Sequence, residues 1–218
     1  MTRHSFSFGE HYDPERTSFG PLVCHDDHQL RGGVGFDTHR HAGLEIVSWV
    51  VSGAVAHRDS VTGSAGGGDG GDGGAPEPLV AGQAGLLRAG SGVEHAEHAV
   101  PGHGPTRFVQ VWLTPDADAP AEPSYTRATP SLETGHLVPV DLPLAVAGAE
   151  LSVARLDALQ QLTLPAAPRL HVFVARGALL RSSLAEPLSD GDAFCFVDEP
   201  EHVVTAAVPS ELLVWRLP

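Results

Sequence analysis

Short apolar runs separated by glycine and proline dominate the pattern of this 218-residue chain. The clearest runs are residues 44–51, 107–113, 170–174 and 212–215. The Ser52-Gly53 pair directly follows the first of them and is a hairpin signal. Many short strands with closely spaced turns are typical of a sandwich or a barrel. The pattern therefore predicts an all-β protein, with one short helix expected over residues 153–161.

Residues 63–78, which read GSAGGGDGGDGGAPEP, interrupt this pattern. Glycine loses the most backbone entropy on ordering, and the segment contains too few apolar side chains to compensate for that loss. We expect a flexible insertion in a loop between two strands rather than a domain linker. A calcium-binding Gly/Asp repeat would need a regular nonapeptide period, which the segment lacks.

Two short segments, His39-Arg40-His41 and His95-Ala96-Glu97, each place two potential metal ligands at positions i and i+2. On a β-strand, side chains at these positions point to the same face of the sheet. Two such strands lying side by side would direct three imidazoles and one carboxylate at one point. That donor set suits a divalent transition metal and leaves coordination positions open for a substrate. A mononuclear metal site is therefore expected if the two segments meet.

The acidic charge balance argues against two classes of partner. The formal net charge is −14, with 27 acidic and 13 basic residues, so neither nucleic acid nor an anionic membrane surface is an expected partner. No secretory signal is expected, because residues 1–6 lack an apolar h-region, and no apolar run reaches membrane-spanning length. A cytoplasmic location is therefore the expectation. Cys24 and Cys195 lie far apart and outside any C-x-x-C pattern, and we expect two buried, reduced thiols.

The two halves of the chain resemble each other. Sliding residues 162–177 onto the stretch that ends at Gly53 aligns their apolar runs and their terminal glycines. In this alignment Thr163 and Pro165 occupy the places of His39 and His41. A separate comparison of residues 201–204 (EHVV) with residues 94–97 (EHAE) places Val204 at the position of Glu97. None of these three side chains is a usual metal ligand. The alignment describes a duplicated β-domain whose second copy has lost its ligands.

These motifs resemble the pirin family of the cupin superfamily. The stretch Gly33-x5-His39-x-His41-x3-Glu45 is similar to the first cupin motif, and residues 89–97 (AGSGVEHAE) are similar to the pirin version of the second. Two further segments resemble the family. They are HRDS at 57–60 and the opening HSFSF at 4–8, which is followed by YDP at 12–14. The specific resemblance covers the first half of the chain, and the second half matches in outline.

The resemblance implies an all-β bicupin, in which two antiparallel β-barrel (jelly-roll) domains pack face to face. Residues 1–118 would form the metal-binding domain, and residues 119–218 would form a degenerate domain without metal. The family's ligands carry over as His39, His41, His95 and Glu97. Glu97 is also the expected catalytic residue, whereas Glu45 is expected to support the site. A monomer is expected for such a fold.

The resemblance also implies the activity of a quercetin 2,3-dioxygenase, which cleaves a flavonol with O2. The expected cofactor is one divalent transition metal. Fe(II) is the first choice, and Mn, Ni, Cu and Zn are alternatives that also suit the donor set. The alternative is a non-enzymatic regulator whose metal senses redox state and controls binding to a protein partner.

Further histidines and aromatic residues have expected positions relative to this site. His57 is expected either beside the ligands or as a structural part of its hairpin. His98 follows Glu97 directly and should face the other side of its strand. His25 and His28 are expected in a polar loop near the barrel entrance. Phe36 is expected either to line the pocket or to pack in the core, and Trp112 is expected in the core.

Overall fold

The computed structural model describes residues 1–7, 12–61, 77–182 and 185–218, and all of its regular elements are β-strands. The strands are β1 (Thr2–His4), β2 (Leu22–Leu30), β3 (Gly35–His41), β4 (Glu45–Ser52), β5 (Ala54–Asp59), β6 (Leu79–Val80), β7 (Ala84–Arg88), β8 (Val93–Ala99), β9 (Thr106–Leu113), β10 (Ser124–Ala128), β11 (Leu137–Pro139), β12 (Glu150–Leu156), β13 (Gln161–Leu164), β14 (Ala167–Arg176), β15 (Ala178–Leu179), β16 (Leu188–Ser189), β17 (Ala193–Glu199), β18 (His202–Thr205) and β19 (Ser210–Leu217). The all-β prediction is confirmed. Except for residues 77 and 78, the glycine-rich segment expected at 63–78 lies outside the described residues.

The prediction of a short helix over residues 153–161 is wrong. This stretch contains the end of β12, a turn, and the start of β13. Leu159 in the turn has a φ of 66°, which is left-handed and incompatible with a right-handed helix. β12 pairs with both β11 and β19, so ladder hydrogen bonds outweigh the local helical preference of this sequence.

Among the described residues no helix is long and apolar enough to cross a membrane.

The chain divides into two compact units. The first comprises residues 1–18 and 22–128, and the second comprises residues 19–21 and 129–218. Strand β10 lies beyond residue 118, where sequence reasoning placed the domain boundary, and it pairs with β7 of the first unit.

The first unit contains two antiparallel sheets. A six-stranded sheet has the order β1-β2-β9-β4-β7-β10, and a four-stranded sheet has the order β3-β8-β5-β6. A buried apolar cluster draws Val50 and Phe108 from the six-stranded sheet and Val55 and Leu79 from the four-stranded sheet. Burial of these side chains between the sheets stabilises the unit and fixes which face of each strand points inward.

The second unit repeats the order of the first. Its main sheet runs β11-β12-β19-β14-β17, which corresponds strand for strand to β1-β2-β9-β4-β7. The pair β13-β18 corresponds to β3-β8, and the pair β15-β16 corresponds to β5-β6. The duplication expected from the sequence is therefore present in the strand order.

The interior of the second unit is apolar at the position that corresponds to Glu97. The bridge between Leu179 and Ala206 occupies the place of the pair Val55 and Ala99 in the first unit. Glu97 lies two residues before Ala99, and Val204 lies two residues before Ala206, so Val204 occupies the corresponding position. Val204 is buried in a cluster that includes Leu162 and Leu164.

Candidate metal centre

The two ligand segments lie on neighbouring antiparallel strands. β3 pairs with β8 in a register that places His39 opposite His95, and a bulge precedes His39 on β3. His41 is two residues further along the same strand and therefore shares its face. One ligand atom from each of His39, His41 and His95 lies within 4.8 Å of the other two. The i, i+2 spacing places His39 and His41 on one face of β3. The pairing of β3 with β8 adds His95 to that face, so three imidazoles come together.

Glu97 lies in a second group that shares His95. β5 pairs with β8 so that His57 stands opposite Glu97, and one ligand atom from each of His57, His95 and Glu97 lies within 4.8 Å of the other two. His57 Nδ1 is 3.7 Å from Glu97 Oε1, which is longer than an ordinary hydrogen bond. His57 is thus beside the candidate ligands, one of the two places that the sequence left open.

The ring nitrogens of the three histidines suit a metal ion. His39 Nδ1 lies 2.7 Å from the carbonyl oxygen of Asp37. A carbonyl only accepts, so Nδ1 carries the proton and Nε2 keeps its lone pair. His41 Nε2 and both ring nitrogens of His95 are buried and have no hydrogen-bond partner within the described part of the chain. Buried polar atoms normally have partners, and a bound cation would supply one here.

Hydrogen bonds from the six-stranded sheet hold the Glu97 carboxylate. Ser48 Oγ on β4 donates to Oε1 at 3.2 Å, and Gln110 Nε2 on β9 donates to Oε2 at 2.6 Å. The indole N–H of Trp112 donates to Gln110 Oε1 at 3.0 Å and so fixes the orientation of that amide. Sequence reasoning missed Ser48 and Gln110, since nothing local marks them as partners of a residue on another sheet.

The protonation states match what metal binding requires. Burial raises the pKa of Glu97, but the contact with His57, the charge of His95 and the hydrogen bond from Gln110 outweigh it and lower the pKa to about 2. Burial lowers the pKa of His95 to about 4, partly offset by Glu97, and burial also lowers the pKa of His41. At neutral pH the carboxylate is ionised and these two imidazoles are neutral, so no proton has to leave before they coordinate.

Two neighbours expected to support the site are held in place by other contacts. The His57 ring stacks on Tyr125, with centroids 4.0 Å apart and planes 4° from parallel, and its Nε2 lies 3.0 Å from Asp59 Oδ2. Glu45 is buried at the start of β4 and accepts a hydrogen bond from Arg88 Nε at 3.0 Å. Glu45 belongs to neither ligand group.

A cavity of about 560 Å³ opens beside these side chains, a size typical of small-molecule sites. The residues of its wall include His39, His41, Glu97, Gln110, Trp112 and Phe36. Phe36 therefore lines the pocket, one of its two expected places. Trp112 packs against the buried cluster that includes Ile46 and Leu87, as expected, and it also lines the cavity, with its ring centroid 4.9 Å from that of His41. Trp112 is two residues after Gln110 on β9 and therefore shares its face of the sheet.

Two further expectations are corrected. His25 and His28 lie buried on β2 rather than in a polar loop, because β2 pairs with both β1 and β9. Cys24 is buried as expected, but Cys195 is exposed on β17. His98 behaves as expected and lies 3.2 Å from Asp37 Oδ1, outside both ligand groups.

Comparisons with known proteins agree with this architecture. The profile of the Pirin family matches residues 1–113. A Mycobacterium tuberculosis (strain H37Rv) protein named "Putative quercetin 2,3-dioxygenase" is 38% identical over 226 residues, which cover 99% of this chain and 87% of that protein. The Escherichia coli (strain K12) protein named "Quercetin 2,3-dioxygenase" is 28% identical over 231 residues, covering 99% of this chain and 90% of that protein. The crystal structure of the bacterial pirin YhhW from Escherichia coli in complex with nickel(II) superposes with a TM-score of 0.80 and 26% identity, covering 100% of this chain and 91% of that one. The bicupin architecture expected from the sequence is confirmed in both halves.

Proposed function

Because this chain belongs to the pirin family, we propose that it is a metal-dependent dioxygenase that cleaves flavonols such as quercetin with O2. The observation that carries the proposal is the convergence of three imidazoles beside a cavity of about 560 Å³, with the ionised carboxylate of Glu97 grouped with one of them, His95. The ligands in this proposal are His39, His41, His95 and Glu97. Fe(II) is the first metal to test, and the nickel(II) bound by the related pirin supports testing other divalent ions too.

The chain's own residues bind and orient the substrate. Phe36 and Trp112 offer aromatic surface to the flat rings of a flavonol. The chelating part of the substrate, its 3-hydroxyl and 4-carbonyl, is placed next to His39 and His41. When bound, a divalent metal supplies Lewis acidity that lowers the pKa of the 3-hydroxyl.

Glu97 has two roles in this proposal, as a ligand and as the base through which the proton of the 3-hydroxyl leaves. Its oxygens accept hydrogen bonds from Ser48 and Gln110 and retain lone pairs for further partners. Those two hydrogen bonds fix the carboxylate in one orientation. The net reaction consumes the flavonol and O2, opens the central ring, and yields a depside and carbon monoxide.

The proposal is tested by reconstituting metal-free protein anaerobically with Fe(II), Mn(II), Ni(II), Cu(II) or Zn(II) and then adding quercetin and oxygen. Loss of the flavonol absorbance with release of carbon monoxide is the expected result for at least one metal. Free metal without protein and protein with a chelator are the controls. Absence of turnover with all five metals would refute the dioxygenase proposal, and metal binding without turnover would favour the regulatory alternative.

A further inference from the structure

A row of polar side chains crosses four strands of the six-stranded sheet. The registers place His4 of β1 opposite Asp26 of β2, Asp26 opposite Gln110 of β9, and Gln110 opposite Ser48 of β4. Residues directly opposite each other on paired strands share a face. The row therefore runs along one face of the sheet and ends at the two side chains that hold Glu97.

This row extends the cavity away from the metal ligands. Thr2, His4, Asp26 and His28 belong to the wall of the same cavity as His39, His41 and Glu97. Thr2 stands opposite His28 just as His4 stands opposite Asp26, so β1 covers the outer part of this surface. The proposed reaction uses none of these four side chains.

Asp26 can accept a hydrogen bond from a ligand that enters the cavity. The residue is 5% exposed, and its Oδ1 lies 2.8 Å from His4 Nδ1, a contact that holds the carboxylate in place. A carboxylate offers about four acceptor positions, so the contact with His4 leaves capacity for a donor that enters the cavity. Hydrogen bonds to a charged acceptor are stronger than those between neutral groups.

His28 offers a second polar atom next to an aromatic surface. Its Nδ1 lies 2.9 Å from Thr2 Oγ1, which leaves Nε2 for another partner. The imidazole packs edge-on against Phe36, with ring centroids 4.8 Å apart, and lies 4.9 Å from Phe108. An aromatic ring with polar substituents matches this combination of flat apolar surface and hydrogen-bonding atoms.

We propose that Asp26 and His28 form a subsite for a hydroxylated aromatic ring of the substrate, with a phenolic hydroxyl donating to the Asp26 carboxylate. The inference rests on the proposed function for the identity of the ligand, and it assigns specificity among flavonols to a surface that contributes no metal ligand. His4 and Thr2 are positioning residues, because each acts through the side chain opposite it.

The test compares quercetin with 3-hydroxyflavone, which keeps the chelating 3-hydroxyl and 4-carbonyl but lacks every other hydroxyl. Binding of both to zinc-loaded protein is measured by anaerobic titration calorimetry, so that turnover does not interfere. Wild-type protein is expected to prefer quercetin by about tenfold or more, the range for a hydrogen bond to a charged group. Asp26→Asn and His28→Phe should each reduce this preference, because each weakens quercetin binding more than binding of 3-hydroxyflavone.

Asp118→Asn, at an exposed aspartate outside the cavity wall, is the matched control and should keep the wild-type preference. Thermal unfolding of every variant separates a folding defect from a loss of recognition, and the His28→Phe variant provides an independent test if Asp26→Asn does not fold. Equal affinity of wild-type protein for the two flavonols, or an undiminished preference in both variants, would overturn the subsite. A preference that depends on Asp26 in a protein without turnover would support the subsite while refuting the dioxygenase.

Discussion

Gln110 Nε2 donates a hydrogen bond of 2.6 Å to Glu97 Oε2, and the two residues belong to different sheets of the first unit. The Gln110 amide cannot flip without losing this bond, because its Oε1 accepts the indole N–H of Trp112 at 3.0 Å. The six-stranded sheet therefore determines the direction in which the only carboxylate of the proposed ligand set points.

Replacing Gln110 with leucine should weaken metal binding without removing a ligand. The variant keeps much of the side-chain volume but leaves Glu97 Oε2 without its donor, so the carboxylate loses its fixed orientation. We expect the dissociation constant for the metal to rise about 10- to 100-fold, as is typical for partners of metal ligands. Competition with a chromophoric chelator measures this. Gln161→Leu, on an exposed position of β13, should leave the constant unchanged.

His41→Ala should lower metal binding more than the Gln110 variant does. The substitution deletes one of three converging imidazoles, and no other histidine on β3 can replace it from the same face. Metal content after dialysis, measured by mass spectrometry, is expected to drop to a small fraction of the wild-type value. His98→Ala is the control on β8, since His98 lies outside both ligand groups. Equal metal content in the two variants would argue against His41 as a ligand.

Gly85→Ala should destabilise the first unit through Tyr125. A Cβ at position 85 would lie 2.5 Å from Tyr125 Oη and 2.8 Å from Leu79 Cδ1, so the tyrosine that stacks on His57 would have to move. Overpacking of this kind costs about 1–3 kcal/mol. Chemical denaturation is the measurement. Adding Tyr125→Phe removes the hydroxyl and should restore part of the loss, whereas additive effects of the two substitutions would contradict the contact.

Stability should fall as the solution is acidified from about pH 6.5 to about pH 4. Burial lowers the pKa of His25 from 6.5 to about 4, so between these values the unfolded chain binds a proton that the folded chain does not. The stabilisation is fully present above pH 6.5 and is lost as the pH falls through 4. One such group contributes about 3 kcal/mol over this interval.

Unfolding free energies measured across this range with a chelator present should have a shallower pH dependence in His25→Asn than in the wild type. His103→Asn, at an exposed turn position, is the control and should keep the wild-type slope. A slope that does not change in His25→Asn would show that other groups carry the dependence.

Local patterns predicted the strands and the ligand segments because both depend on neighbours in the sequence. The alternation of His39 and His41 predicts a shared face on any β-strand, whatever the strand pairs with. The helix expected over residues 153–161 was wrong for the converse reason: β12 forms because β11 and β19 lie on either side of it. Only the order of strands supplies those partners.

The sequence by itself determined the donor types, the spacing of the ligands and the duplicated pattern of strands. Tertiary structure decided which side chains surround them. Ser48 and Gln110 reach Glu97 only because two sheets face each other, and Asp26 joins the same surface only through the registers of β1, β2 and β9. Sheet order and register arise from the burial of apolar faces shared by strands far apart in the chain, so no local pattern specifies them.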